Sequence, residues 1–467
     1  MARPRRRPRT SCSPRRRSSG RSAATNCSNS PKPAAATNST SRRTDTSMNH
    51  FDYRDGVLHC EDVPLTRIAE EVGTPVYVYS TNTFRRHAQV FREGLKHVGR
   101  IHLAYAIKAN PNLAVLRVLA EEGYGADVVS SGEMARALAA GIPAADIVFS
   151  GVGKTRAELA RGIDAGIGQF NLELEEEGVV LAQIAHAKGK RAPATLRVNP
   201  DVDAGTHAKI STGRAENKFG VPIDQAPDMF DRLAPLDGLD LRGVACHIGS
   251  QLSDLSRLEE AYRRIGELVA ELRRRGHTIT RVDLGGGLGV PYKAGDVLPS
   301  PADYGAMVAR ATQGWDVELM FEPGRVIAGN SGVLLTEVVW VKPGVTNPYV
   351  IVDAAMNDLA RPALYDAWHD FDAVTPTGER MTANIAGPVC ESGDTFAMGR
   401  EIDAVKSGDL AVFRTAGAYG ATMASTYNSR DLVPEVLVDG DRYAVVADRI
   451  AAETILAAER VPEWLKA

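Results

Sequence analysis

Three short stretches of the 467-residue chain combine the residue types that hold a phosphate. Gly285-Gly286-Gly287-Leu288-Gly289 directly follows the run Arg281-Val282-Asp283-Leu284, and glycines in that place let backbone N–H groups approach an anion. His247-Ile248-Gly249-Ser250 adds a hydroxyl and further backbone donors, and Glu322-Pro323-Gly324-Arg325 adds a fixed cation. The glycines lack the Lys-Ser or Lys-Thr of a nucleotide P-loop and do not sit in a first strand–helix unit, as a dinucleotide fingerprint would. Lys108 supplies an amine. A single lysine is ordinarily a solvated surface group, but this one follows the buried-type run Ala104-Tyr105-Ala106-Ile107 and precedes the tight Ala109-Asn110-Pro111. A phosphate anchor with a lysine near it suits pyridoxal phosphate, whose aldehyde needs an amine and whose ring nitrogen needs a charge partner. Glu322 is the candidate partner, because a carboxylate there keeps the nitrogen protonated and the ring able to accept electrons. His247 is placed to lie against the ring face.

These residues need a scaffold that brings distant segments to one place. Short β-rich runs at His102–Ile107, Ala126–Val129, Ile147–Phe149, Gln169–Asn171, Ala194–Val198, Gly243–His247, Arg281–Leu284 and Glu318–Phe321 alternate with helical patterns. The helical patterns include Leu113–Glu122, Gly132–Ala140, Arg156–Ala165, Glu173–Ala187 and Leu255–Arg274. Strict alternation means parallel strands with right-handed crossovers, and eight strands predict a closed (β/α)8 barrel, with a doubly wound open sheet as the alternative. The position of the unusual residues favours the barrel. Lys108 follows the first run, Asp127 lies in the second, Arg197 ends the fifth, His247 ends the sixth, the glycines follow the seventh and Glu322 follows the eighth. Barrel enzymes assemble one site from the carboxyl ends of several strands.

After Arg325 the alternation stops. Leu334–Val341, Tyr349–Asp353, Met381–Ile385, Leu410–Thr415 and a hairpin over Val436–Val446 turning at Asp439-Gly440 predict an antiparallel β domain, a barrel or sandwich. An early hairpin, Phe51-Asp52-Tyr53 and Val57-Leu58-His59 around Asp55-Gly56, is expected to join it, followed by a helix at Leu65–Glu71, a strand at Pro75–Tyr79 and a helical segment at Thr83–Val98. The fold class is thus α/β plus all-β: a tail over 1–47, a joining segment over 48–82, a barrel over 83–328 and a β domain over 329–467.

Charge separates the tail from the rest. The net charge is −3, yet residues 1–47 hold twelve Lys or Arg against the single acid Asp45, which leaves −14 on the remainder. The tail contains no Phe, Tyr, Trp, Leu, Ile or Val and so cannot build a core. Its Arg5–Arg7 and Arg15–Arg17 runs suit nucleic acid, and its Arg- and Ser-rich composition resembles a transit peptide. No apolar face accompanies the arginines and the acidic remainder offers nucleic acid no second surface, so a true start at Met48 is the favoured expectation. No uncharged apolar run reaches the ~18 residues of a membrane-spanning helix. The five cysteines, Cys12, Cys27, Cys60, Cys246 and Cys390, form no Cys-x-x-Cys pair, which argues against a disulfide framework or a metal site and for a reducing cytoplasm. Cys246 lies in a strand and has the context of a small buried hydrophobe, whereas Cys390, between Gly387-Pro388 and Glu391-Ser392, lies in a loop open to a cleft.

With these residues in place, Tyr105–Asn110, His247–Gln251, Gly285–Gly287 and Glu322–Arg325 together resemble the fold-type III pyridoxal-phosphate decarboxylases, with an alanine-racemase-like barrel. Met356–Tyr365, Gly387–Asp394, Gly417–Met423 and Asn199–Gly220, the last including Ile210-Ser211-Thr212-Gly213 and Glu216–Gly220, resemble the diaminopimelate decarboxylase branch, from about residue 50 to the C-terminus. The resemblance implies a pyridoxal-phosphate-dependent lyase that converts meso-2,6-diaminopimelate to L-lysine and CO2, the last step of lysine synthesis. It implies that Lys108 attaches the cofactor, that His247, Ser250, Gly287, Glu322, Arg325 and Tyr419 surround it, and that Arg325, Arg361, Tyr365, Glu391 and Tyr419 bind substrate; Asp127 and Arg197 join the cofactor set from their places on the barrel strands. Cys390 would be the proton donor, reaching with Glu391 into the site of a partner subunit, so a homodimer is implied. An ornithine- or arginine-type decarboxylase is disfavoured because Arg361 would repel a cationic remote end. A non-catalytic cofactor carrier would need neither the β domain nor Cys390-Glu391, and an alanine racemase would need no remote arginine.

Overall fold

The structure is a computed structural model that describes residues 49–203, 205 and 217–466. The basic tail with Cys12 and Cys27, Met48, Ile210-Ser211-Thr212-Gly213 and Glu216 lie outside the described residues. The eight expected runs form eight parallel strands: β1 (Arg100–Ala106), β2 (Gly125–Val128), β3 (Ile147–Phe149), β4 (Gln169–Leu172), β5 (Ala192–Asn199), β6 (Leu239–Ala245), β7 (Arg281–Asp283) and β8 (Glu318–Phe321). Each pairs with the next, and β8 pairs with β1 through Phe321 and Leu103, so the sheet closes on itself. The open doubly wound alternative is therefore excluded.

Local chemistry sets the helices between them. Arg156–Ala165 starts at a capping box of Thr155 and Glu158 and stops at Gly166 in the left-handed region, φ 73°. Leu255–Arg274 starts at the Asp254 cap, and its buried residues, Leu258, Ala261, Tyr262, Ile265, Leu268, Val269 and Leu272, recur at helical spacing along the face that covers the barrel. Among the described residues no helix is long and apolar enough to cross a membrane.

The second sheet is built from both ends of the chain. Val76–Ser80, every residue buried, pairs antiparallel with Gly332–Lys342 on one side and parallel with Glu435–Asp439 on the other. The long strand Gly332–Lys342 also pairs with Tyr349–Val352 and Leu410–Phe413. Tyr349–Val352 in turn runs parallel to Arg380–Ala386. Two pairings are thus parallel, a correction to the expected purely antiparallel sheet: hydrophobic alternation reports that a strand is half-buried but not which way its neighbour runs. The strands Phe371–Ala373 and Thr395–Asp403 add to the expected set. The early hairpin, Phe51–Arg54 and Val57–Cys60, forms a small sheet of its own with Val63–Pro64. It reaches the large sheet through the Leu58 N–H to the Val374 carbonyl, 2.8 Å, and by packing Phe51 and Leu58 against Val76, Val78, Val333 and Val436. Val76 and Val78 are fully buried, and each contributes roughly 1.5–3 kcal/mol relative to exposure.

One carboxylate ties these N- and C-terminal pieces together. Glu61, 5% exposed, accepts from the Ser80 hydroxyl at 2.7 Å, the Asn82 N–H at 2.9 Å, the Asn82 amide at 2.5 Å and the Gly440 N–H at 2.6 Å. Glu61→Ala would leave those donors without their charged acceptor, and an unmade buried hydrogen bond to a charge costs about 1–3 kcal/mol. We expect a loss of roughly 3 kcal/mol in unfolding free energy; an unchanged denaturation midpoint would show that the junction is held by packing alone.

Candidate active site

The carboxyl ends of the barrel strands and the second sheet enclose a cavity of about 410 Å³, lined among others by Lys108, His247, Ser250, Arg325, Arg361, Tyr365 and Tyr419. A smaller inner pocket of about 40 Å³ shares Lys108, His247, Ser250, Arg325 and Tyr419 with it and adds Gly287 and Glu322. Residues more than 300 positions apart in the chain thus face one space.

Lys108 sits on a single 3₁₀ turn, Ile107–Ala109, immediately after β1. The Tyr419 N–H donates to the Ala109 carbonyl at 2.8 Å and the Asn110 amide donates to the Gly417 carbonyl at 3.1 Å, so the turn is pinned to a loop of the β domain. Its amine meets Asp127 Oδ2 at 2.6 Å. Asp127 is fully buried in β2, and its Oδ1 has no partner among the described residues. Burial opposes the charge on Lys108, but the carboxylates of Asp127 and then Glu322 outweigh it and hold the amine above the usual lysine range.

Beneath the amine lies a polar floor. Asp283 Oδ2 accepts from the Asn171 amide at 3.0 Å and the Gln169 amide at 3.3 Å, and Asp283 Oδ1 accepts from the Gly285 N–H at 2.9 Å. The Asn171 amide also reaches Glu322 Oε1 at 3.4 Å. Burial first, then the charges of Asp127 and Asp283, push the Glu322 carboxyl well above its ordinary value, and burial raises Asp283 as well. His247 is driven the other way, to about 3, by burial and by the cations Arg197 and Lys108. It is therefore neutral near pH 7, and its Nδ1 accepts from the Gly286 N–H at 3.2 Å.

The outer wall is cationic. Arg325, 7% exposed, donates from Nε and Nη2 to Ser250 Oγ at 3.2 and 3.1 Å and from Nη1 to Tyr292 Oη at 2.5 Å. Arg361 begins a short helix, Arg361–Tyr365, and is 6% exposed. Its guanidinium lies 4.4 Å from the Tyr292 ring centroid and donates to His369 Nε2 at 2.8 Å. Among the described residues neither arginine has a carboxylate within ion-pair distance.

Three expected residues stand elsewhere. Arg197 does not line the cavity; it pairs with Glu173 at 2.9 Å, with its guanidinium over the Phe219 ring. Cys390 and Glu391 lie exposed on the loop between Arg380–Ala386 and Thr395–Asp403 and line neither pocket. That loop is built firmly. Buried Asp394 accepts from the Met356 and Val389 N–H groups at 2.7 and 2.6 Å, and the Cys390 N–H donates to Asn428 at 2.9 Å. Conversely, Tyr292 and His369 line or support the cavity wall and carry no motif. The helix at 361–365 ends with Asp366 in the left-handed region, φ 52°, and the chain that follows brings His369 back onto Arg361. No residue spacing announces such a reversal.

Residues 81–329 match the family described as pyridoxal-dependent decarboxylase, pyridoxal binding domain. The diaminopimelate decarboxylase of Zymomonas mobilis is 49% identical over 423 residues, covering 90% of this chain and all of that one. The chain belongs to the diaminopimelate decarboxylase family. Two crystal structures of such enzymes complexed with L-lysine share the fold. The enzyme of Helicobacter pylori has 38% identity and a TM-score of 0.81, covering 84% of this chain and 98% of its own. That of M. jannaschii has 35% identity and a TM-score of 0.86, covering 90% and 100%. The family uses pyridoxal phosphate, and the inner pocket of this chain fits it. A Cβ on Gly287, at φ 120°, would stand 2.5 Å from the Gly249 carbonyl oxygen, and one on Gly286 would stand 2.3 Å from that of Glu322, so the turn packs directly on neighbouring backbone and Gly287 lines the inner pocket beside Ser250 and Arg325. The orphaned oxygen of Asp127 and the paired carboxyls above the floor suit a group that brings positive charge of its own.

His369 provides a check on the outer wall. Burial and the adjacent Arg361 lower it to about 3, while in the unfolded chain it titrates near its ordinary 6.5. Between these values unfolding takes up a proton, so this contribution to stability is complete above pH 6.5 and is lost as the pH falls. Relative to His369→Gln, the native protein should lose about 1.4 kcal/mol per pH unit between pH 6 and 4. Parallel stability curves for the two proteins would show that His369 is protonated in the fold.

Proposed function

We propose that the protein removes CO2 from meso-2,6-diaminopimelate to give L-lysine, as a cytoplasmic homodimer in which each cavity is completed by Cys390 and Glu391 of the partner subunit. The observation that carries the substrate is Arg361: a guanidinium buried in the cavity wall, without a carboxylate of its own, in the same space as the Lys108 amine. Such a group suits a substrate with a carboxylate at the end remote from the reacting carbon. The cationic remote end of an ornithine- or arginine-type substrate would meet two arginines instead. A non-catalytic cofactor carrier has no use for either.

Pyridoxal phosphate, when bound, supplies an electron sink for the pair left behind as CO2 departs. The chain's own groups do the rest. Gly287, with Ser250 and Arg325, would hold the phosphate, and Lys108 would attach the aldehyde, with Asp127 orienting the amine. Glu322, whose raised pKa favours sharing a proton, would serve the ring nitrogen, and neutral His247 would line the ring's side of the pocket. Arg197 acts at one remove, as a charge that adds to the burial keeping His247 neutral. Arg361 and Tyr365 hold the remote carboxylate, the partner's Glu391 holds the remote ammonium, and Tyr419 closes the space between cofactor and substrate. The thiol of the partner's Cys390 then gives its proton to the carbon that lost CO2. A site made for two opposite charges discriminates strongly, because an analogue lacking one leaves a buried group unpaired.

Purified protein supplied with pyridoxal phosphate and meso-diaminopimelate should release CO2 and L-lysine in equal amounts, and release from ornithine or arginine alone would overturn the assignment. Cys390→Ala should lower kcat about 10²–10⁴-fold with little change in KM, the range for loss of a general acid. Glu391→Gln should chiefly raise KM, because its charge acts in ground and transition states alike. Mixing Lys108→Ala with Cys390→Ala subunits should regain activity, since a heterodimer has one intact site. Heterodimers as inactive as their parents would place Cys390 in its own subunit's site.

A further inference from the structure

Arg361 is held by an unusual partner. A guanidinium 6% exposed is ordinarily matched by a carboxylate, as Arg414 is by Asp372 and Arg197 by Glu173 in this same protein. Arg361 instead donates to an imidazole, and that imidazole is fixed from behind. His369 is 2% exposed, and its Nδ1 lies 2.8 Å from the Arg414 carbonyl. A carbonyl only accepts, so Nδ1 carries the hydrogen and Nε2 presents its lone pair to Arg361 Nη1 at 2.8 Å. The ring also stands edge-on to Tyr292, 5.3 Å between centroids and 82° between planes, while Tyr292 offers its face to Arg361 and its hydroxyl to Arg325. Burial and Arg361 keep His369 neutral far below pH 7. Orientation is thus supplied by a hydrogen bond and an aromatic face, with no negative charge involved.

We propose that His369 is a positioning residue that fixes the Arg361 guanidinium while leaving its charge uncompensated, and that this neutrality sets the selection of amino acids with a carboxylate remote from the reacting carbon. The inference rests on the substrate reading above and extends it. An Asp or Glu in the place of His369 would orient Arg361 equally well but would form an ion pair with it, and a substrate carboxylate would then compete with a resident one. A neutral acceptor gives orientation without that competition.

The test compares two inhibitors that differ only in the remote carboxylate, L-lysine and 1,5-diaminopentane, on the full-length holoenzyme during turnover of meso-diaminopimelate. The native enzyme should favour L-lysine; equal inhibition by the two would sink the role given to Arg361 itself, independently of His369. In His369→Glu the preference should fall at least tenfold or invert, with KM for diaminopimelate rising more than kcat falls. His369→Gln, which keeps a neutral acceptor, should retain the native preference within about threefold. His369→Phe, which removes the acceptor and adds no charge, should weaken L-lysine while leaving the diamine unchanged, and it decides the matter if the Glu variant does not fold. An undiminished preference in the Glu or Phe variant, or a loss in the Gln variant equal to that in Glu, would overturn the proposal.

Discussion

Three buried carboxyls and one amine share the interior of the barrel mouth. Asp283 and Glu322 are both raised in the company of Asp127, and Lys108 is the cation that Asp127 and Glu322 hold charged. Burial first, and then the repulsion of like charges, makes the Glu322 carboxyl and Asp283 hold protons more tightly than usual. Amides from β4 and a glycine N–H satisfy both oxygens of Asp283, whereas Asp127 Oδ1 is left without a partner among the described residues. It also defines what the pocket will accept. A ligand that presents a protonated nitrogen to this floor relieves the repulsion, and one that presents an anion increases it, so anions are welcome only at the rim, where backbone donors and Arg325 stand.

A charge gradient therefore runs through the site, acidic at the floor and cationic at the outer wall. Lys108 and Tyr419 stand between the two, and their backbones are hydrogen-bonded to each other's loops. The barrel supplies the floor and the glycine turn; the β domain supplies Arg361, Tyr365, His369 and Tyr419. Neither part has a complete pocket alone, so the strand Val76–Ser80 that stitches the second sheet together is as necessary to the chemistry as any side chain in the cavity.

Much of this was legible in residue order. All eight barrel strands, and helices such as Arg156–Ala165 and Leu255–Arg274, lie where periodicity and caps put them, because each repeats one local pattern and ends at glycine, proline or a capping residue. The placing of Lys108 and the glycine turn at one barrel mouth was legible for the same reason, since each directly follows a strand-forming run and both line the inner pocket. The parallel pairings of the β domain were not, since strand direction is decided by partners hundreds of residues away. Nor was His369. Its position depends on a left-handed Asp366 and on the carbonyl of Arg414, neither of which leaves a mark on spacing. Cys390 and Glu391 were singled out through resemblance to a motif, and among the described residues they line neither pocket at the barrel mouth.

The strand Val76–Ser80 has a consequence for how the chain is made. It emerges from the ribosome early, with every residue destined for burial and both edges unpaired, yet one neighbour begins at residue 332 and the other at 435. The whole barrel is synthesised in between. A short apolar strand held open for that long is a template for pairing with other nascent chains. Barrel folding must therefore run ahead while the N-terminal segment waits, and the last strands to leave the ribosome lock the first one in place. The slow step of assembly is thus expected at the junction of the termini, which the pocket needs for its second wall.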